Sequence, residues 1–195
     1  MNHLPISTRF GTVGILWDSA GSKTRVLRVV LPAGERAVAH PDGAIFTEAQ
    51  RKSRPEIERL AADLQRFLEG ERIEFDLSLL DWTICSAFQS TILRMEASVP
   101  RGRVIAYGQL ARRAQAPGGA RAAGRALAAN PFPLIIPCHR AVQADGALGG
   151  FQGGATMKRE LLEIEGVRFT ASGRVLAEYF RDCPAQEPKH KERQI

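Results

Sequence analysis

"AYGQLARRAQAPGGARAAGRALAAN", residues 106–130, breaks into two helical stretches with a turn between them. "AYGQLARRA" and "GARAAGRALAAN" each read as a short helix, and "QAPGG" joins them, with Gly118 and Gly119 permitting a sharp bend. Helix, glycine turn, basic helix is the outline of a helix-turn-helix. The second helix is unusual in its small residues. Ala122, Ala123, Gly124, Ala126, Ala128 and Ala129 leave a nearly bare backbone around Arg121 and Arg125. A helix that reads base edges in the major groove needs long hydrogen-bonding side chains. A bare helix instead permits close approach, either to a neighbouring helix or to a narrow minor groove. Composition alone favours packing.

Charge concentrates around this stretch. Between Glu96 and Asp145 there is no Asp, Glu or Lys, but there are seven arginines: Arg101, Arg103, Arg112, Arg113, Arg121, Arg125 and Arg140. The whole chain carries +6, so the rest carries about −1. Such a segment suits a polyanion partner; the competing reading is a solvated arginine-rich face.

Upstream, "RFGTVGILWD" and "TRVLRVVLP" are rich in β-branched residues and flank the turn-like "SAGSK", which predicts a hairpin. "AGERAVAHPDGAIFTEAQRK" has no clean period and reads as a loop carrying a short strand. "SRPEIERLAADLQRFLEG" is a helix with a capping box at Ser53 and Glu56, a stop at Gly70, and a buried stripe of Ile57, Leu60, Ala61, Leu64, Phe67 and Leu68. No cluster of catalytic groups occurs in this part. A second part begins near "DLSLLDW". "SAFQSTILRMEASV" places Phe88, Ile92 and Met95 at helical spacing and ends at Pro100.

Downstream, Asn130 ends the basic helix because Pro131 follows it. In "NPFPLIIPCHR", Leu134–Ile136 read as a short buried strand, which would put Cys138 at a strand end, where a side chain can line a pocket. A free thiol titrates near ~8.5, so Cys138 needs a proton acceptor to act as a nucleophile, and His139 is adjacent. In an extended chain the two would point to opposite faces, so contact requires a turn or a bridging water. A small buried cysteine beside a hydrogen-bonded histidine is the alternative. "DGALGGFQGG" lacks the Lys-Ser/Thr pattern of a phosphate loop and fits a loop closely approaching a pocket. "ATMKRELLEIEG" is an amphipathic helix closed by Gly166, "VRFTASGRVL" a terminal hairpin, and 181–195 a disordered basic tail.

Composition removes several function classes. The 44% hydrophobic and 25% charged contents are those of a globular protein, and no run reaches the length of a membrane span. The opening "MNHLPISTRFG" has no signal-peptide core. Three scattered cysteines, Cys85, Cys138 and Cys183, predict a reducing compartment rather than a disulfide framework. With no CxxC or HxxxH, and with His3, His40 and His190 in polar or terminal stretches, no metal site is expected.

Tyr107 in "AYGQLA", Arg121 before "NP", then "IIPCHR", "GALGGFQGG" and "KRELLEIEG" occur in order from about Phe88 to Phe169. In this the chain resembles the O6-alkylguanine-DNA alkyltransferases, the methylated-DNA–protein-cysteine methyltransferases. The resemblance implies a mixed α/β fold: residues 1–80 a ribonuclease-H-like sheet-plus-helix scaffold, residues 81–180 a DNA-binding catalytic part with a winged-helix-like helix-turn-helix. It implies that Cys138 accepts the alkyl group of O6-alkylguanine, or of O4-alkylthymine, irreversibly and once per molecule. His139 would draw off the thiol proton through a water, Glu165 would hold the imidazole, and Asn130 would brace the turn bearing Cys138. Tyr107 would donate to the flipped base, and Arg121 would fill the space it leaves. Ala122, Ala123, Gly124 and Arg125 would lie in the minor groove, reversing the packing preference above. Pro133, Phe151, Gln152 and Gly153 would wall the alkyl pocket. The partner is double-stranded DNA bound without sequence preference; no cofactor is implied, and a cytoplasmic monomer is expected, nucleoid-associated if bacterial or archaeal.

Some positions depart from the family pattern. Ser90, Thr91, Ile92 and Leu93 follow Phe-Gln where Val-Trp is frequent, Ala141 replaces a usual Val, Phe151 a frequent Tyr, and Gln152 a small residue. Ala141 and Gln152 leave the accepted alkyl size open. "VPRGRVIAYGQLA" is also similar to the alkyltransferase-like proteins, which bind alkylated DNA without the acceptor thiol; that non-enzymatic role is the alternative function, and Cys138 argues against it. A cysteine hydrolase is a third reading, disfavoured by the arginine-only segment.

Overall fold

The structure is a computed structural model that describes residues 1–20, 23–32 and 54–180. The loop reading at 33–52, Ser53, His40, Cys183, His190 and the tail 181–195 lie outside the described residues. The chain opens with a three-stranded antiparallel sheet, β1 (Asn2–Thr8), β2 (Gly11–Ala20) and β3 (Lys23–Val30), ordered β1-β2-β3. The hairpin expected from the sequence is β2–β3. β1 had no sequence signal, because Pro5 interrupts it; on an edge strand that proline costs no central ladder bond. Val13, Ile15 and Trp17 of β2 alternate into the core.

Helix α1 (Pro55–Leu68) packs against β1 through Ile57, Leu60, Leu64, Phe67 and Leu68. Its cap differs from expectation: extended Arg54 is the N-cap and makes no side-chain cap bond, since Pro55 itself fixes the first helical residue.

Helix α2 (Ala87–Ala97) begins at Ser86, whose side chain accepts from the Gln89 N–H. Of the three residues at helical spacing, Ile92 is buried and Met95 half-buried against the core, while Phe88 is 37% exposed; Leu93 and Glu96 complete the inward face. The helix is turned because Gln89 donates to the carbonyls of Ala126 (3.2 Å) and Ala129 (2.9 Å), bringing its own face against the next helix pair.

That pair is α3 (Tyr107–Arg113) and α4 (Ala120–Ala128), packed together as the helix-turn-helix outline requires. Gln115 (φ 56°) and Gly118 (φ 77°) make the bend in left-handed backbone that glycine adopts without strain. Two short parallel strands, β4 (Ile105–Ala106) and β5 (Ala141–Val142), fix the centre of the molecule. β4 runs directly into Tyr107, and β5 directly follows the turn Cys138–Arg140, so their pairing brings these two points side by side.

Helix α5 (Gly154–Ile164) closes the described fold, with Glu165 at its C-cap. The expected terminal hairpin is reduced to a single bridge, Phe169 with Val175. One buried apolar cluster runs from the sheet through α1 and α2 to Cys138, and Val29 N–H donates to Pro131 O at 2.8 Å, tying the sheet to the segment before the thiol. Among the described residues no helix is long and apolar enough to cross a membrane.

Candidate active site

The segment after α4 is a turn, not the strand expected at Leu134–Ile136. Leu134 has φ 73°, and Ile136 N–H bonds back to Phe132 O at 2.8 Å. Buried Asn130 holds it from inside, its Oδ1 accepting from Phe132 N–H (2.9 Å) and its Nδ2 donating to Ile136 O (3.2 Å). Two fixed points on one side chain outweigh the β-propensity of Ile135 and Ile136. Pro133 is part of this turn. Cys138 therefore starts the tight Cys138–Arg140 turn, which supplies the change of direction that an extended Cys-His pair lacks.

Cys138 is 5% exposed, and burial pushes its thiol up to about 11; Glu96 pushes the same way, while Asn130 and Lys158 oppose. His139 is fully buried. Its Nε2 lies 2.9 Å from Glu165 Oε1, and its Nδ1 is buried without a protein hydrogen-bond partner. Burial keeps the imidazole neutral at rest, against the pull of Glu165. The ring sits between Phe67 and Phe151, with centroids at 6.1 and 6.3 Å.

Arg140 is a correction. Counted with the polyanion-facing arginines, it is instead buried, with Nε and Nη2 on the Glu165 carboxylate (2.9 and 2.7 Å) and Nη1 on Val99 O (2.6 Å). Burial disfavours the Glu165 anion, but His139 and Arg140 overcome it and hold the carboxyl at about 2. Since His139 rests neutral, the permanent charge of Arg140 is what keeps Glu165 ionised. Arg101 and Arg103 are likewise spent on the fold, donating to the carbonyls of Gly70, Glu71 and Ile164 and of Glu178.

Lys158 was missed as well, since it read as one polar residue of an amphipathic helix. It is fully buried, and its ammonium donates to Leu148 O (2.6 Å), Ala141 O (2.7 Å), Gly150 O (3.2 Å) and Tyr107 Oη (3.4 Å). One cation thus pins the glycine loop, β5 and Tyr107 together. Gly149 (φ 69°) is required in that loop, because a Cβ there would stand 2.7 Å from Tyr107 Oη. Burial pushes the Tyr107 phenol up to about 12 and the Lys158 ammonium down to about 8.

α4 divides between the two roles weighed for a bare helix. Ala123, Ala126 and Leu127 are buried, so Ala123 leaves the set expected to meet DNA. Arg121 and Arg125 are exposed, with half-buried Ala122 and Gly124 between them. A Cβ on Gly124 would lie 3.9 Å from the Tyr107 ring, so this outer face adjoins Tyr107. Gln152 donates to Ala128 O (3.0 Å) and Asn130 O (2.7 Å), fastening the glycine loop to the end of α4. Buried Gly153 follows, in contact with Met157.

Residues 87–167 match the family described as "6-O-methylguanine DNA methyltransferase, DNA binding domain". The chain is 37% identical over 155 residues to a methylated-DNA–protein-cysteine methyltransferase of Methanothermobacter thermautotrophicus, covering 80% of each. It is 41% identical over 108 residues to a DNA base-flipping protein of Thermus thermophilus, covering 55% of this chain and 72% of that one. Among solved structures, Mycobacterium tuberculosis OGT in complex with DNA superposes with a TM-score of 0.64 at 28% identity, covering 85% of this chain and 92% of that one.

Proposed function

The chain belongs to the methylated-DNA–protein-cysteine methyltransferases, and from that premise we propose that it repairs DNA by taking the alkyl group of O6-alkylguanine, or of O4-alkylthymine, onto its own Cys138, once per molecule. The observation that carries this reading is the buried line Cys138, His139, Glu165, Arg140. The residue after the thiol carries a neutral imidazole, one nitrogen of which is fixed by a carboxylate that Arg140 pairs with. This is the arrangement of nucleophile, base and orienter, with cysteine in the first place.

A thiol at about 11 is almost wholly protonated at neutral pH; pre-forming the thiolate would cost on the order of 5 kcal/mol. Proton removal is therefore coupled to attack. The proton passes through a water to His139 Nδ1, sulfur forms a bond to the alkyl carbon, and the carbon–oxygen bond breaks with its electron pair left on the base. Tyr107 donates its phenolic hydrogen bond to the departing base, and the Lys158 ammonium on the same oxygen stabilises the charge that develops there. The thioether has no good leaving group, so the transfer is not reversed.

The alkyl group is inaccessible in a stacked duplex, so the base must leave the helix at a cost of a few kcal/mol. Arg121 takes its place, while Ala122, Gly124 and Arg125 approach the minor groove and Arg125 serves the backbone. The name of the Thermus relative, a DNA base-flipping protein, supports this step. Phe151, Gln152, Gly153 and Pro133 bound the alkyl pocket, residues 1–80 act as its support, and the protein works as a monomer without sequence preference. Cys138→Ser tests the reading: it should bind a duplex containing O6-methylguanine and leave the lesion unrepaired. Repair by this variant, or binding without repair by the unaltered protein, would reject Cys138 as the acceptor.

A further inference from the structure

Glu96 takes no part in the reaction described above, yet it occupies the interior behind the reacting groups. It is 0% exposed, and both carboxyl oxygens are buried without a hydrogen-bond partner. Its helix, α2, packs on the Cys138–Arg140 turn, on α3 and on α4. Four groups are within electrostatic reach of it: Lys158 from α5, Arg140 and Cys138 from the turn, and Tyr107 from α3. His139 of the same turn is engaged by Glu165, and α4 contributes buried Ala123, Ala126 and Leu127. Lys158 directs its hydrogen bonds to three carbonyls and to Tyr107, so its ammonium is solvated by neutral oxygens while the carboxyl stands apart.

We propose that Glu96 is a positioning residue for the acceptor thiol and acts through its charge state. As a neutral acid it leaves the Lys158 ammonium as the net charge beneath Cys138, which favours the thiolate. As a carboxylate it cancels that ammonium and opposes the thiolate. The inference rests on Cys138 being the acceptor.

An unpaired carboxylate in an apolar interior is costly, so the acid holds its proton well above the ordinary range. Burial raises Glu96 to about 8, with Lys158 and Arg140 pulling the other way. At neutral pH the acid is therefore mostly neutral and Lys158, pushed down to about 8, mostly charged. Above that pH Glu96 ionises and Lys158 gives up its proton, and only the Glu96 part is removed in a Glu96 variant. Both changes raise the Cys138 thiol, and the Glu96 charge also raises the Tyr107 phenol. Both groups must give up or share a proton for transfer to occur, so both effects point the same way. Reactivity should therefore rise less steeply with pH than that of an ordinary thiol.

The test compares the unaltered protein with Glu96→Gln, which keeps the shape and removes the titration, and with Glu96→Leu, which is neutral and apolar. Two rates are followed from about pH 7 to about pH 9: transfer from free O6-benzylguanine, and iodoacetamide labelling of Cys138 located by peptide mass. Whichever variant melts cooperatively near the unaltered protein is read. The ratio of variant to unaltered rates should climb by roughly three- to tenfold across that range in both assays, because the variants lack the charge that raises the thiol. A ratio that stays flat or falls with pH overturns the proposal, since it leaves Glu96 a packing residue or one that works as an anion. Labelling needs no alkyl transfer. A protein that labels at Cys138 but transfers nothing therefore rejects the acceptor role, while the labelling ratio still decides the part played by Glu96.

Discussion

Arg140 and His139 converge on one oxygen, Glu165 Oε1, at 2.7 and 2.9 Å. Neighbours in sequence thus share a carboxylate some 25 residues further along the chain. The arrangement makes Glu165 both an orienter of the imidazole and the counter-charge of a buried guanidinium.

Glu165→Gln should therefore slow transfer from free O6-benzylguanine while leaving affinity for undamaged duplex within about twofold, because the carboxylate lies inside and does not meet phosphate. It should also destabilise the fold, since Arg140 is left buried and unpaired, at a cost of about 3–5 kcal/mol. Chemical denaturation against pH separates the two roles. A carboxyl held at about 2, against an ordinary 4.5, contributes stability that is present above 4.5 and lost as pH falls toward 2. The Gln variant should lack that slope; an equal slope in both proteins would remove Glu165 from the ion pair.

Arg121→Ala should reduce repair in duplex DNA far more than reaction with free O6-benzylguanine, because an exposed α4 side chain serves base extrusion rather than bond making. Equal losses on the two substrates would contradict that role.

Tyr107→Phe should slow both substrates by roughly a hundred- to a thousandfold, as loss of a donor at a charge-developing site does. A change confined to binding of undamaged duplex would leave Tyr107 as a phosphate contact only.

Salt dependence should report fewer phosphate contacts than the sequence counts. Of the seven arginines between Glu96 and Asp145, Arg101, Arg103 and Arg140 are committed to carbonyls or to Glu165, while Arg112, Arg121 and Arg125 stand exposed on the helix pair. At about 0.9 per phosphate, the slope of log affinity against log salt should be about −3. A slope near −6 would mean that the committed arginines leave their protein partners to meet DNA, and a flat response would reject this face altogether.

What was legible in the sequence was local. The glycine break at Gly118, the bare α4 and the β2–β3 hairpin follow from spacing and turn chemistry, and the Cys138–His139 pair stands out as a dipeptide. Burial of a charge is decided elsewhere. Arg140 looked like Arg121 because both are arginines in one basic segment; only the arrival of Glu165 at the end of α5 takes one inside. Lys158 and Glu96 each read as the polar member of a helical period, and packing turned both inward. Leu134 had β-branched neighbours and every local reason to extend, but Asn130 reaches across the turn and fixes both its ends. β1 escaped notice because Pro5 is a demerit for a central strand and not for an edge.

The acceptor itself is tested most directly by mapping the product. The protein is incubated with an excess of duplex containing O6-methylguanine, digested, and each cysteine peptide weighed, while lesions remaining in the DNA are counted. One methyl on Cys138 and one lesion lost per protein molecule is the predicted result. Methyl on Cys85 or Cys183, or more lesions lost than protein molecules present, would contradict it.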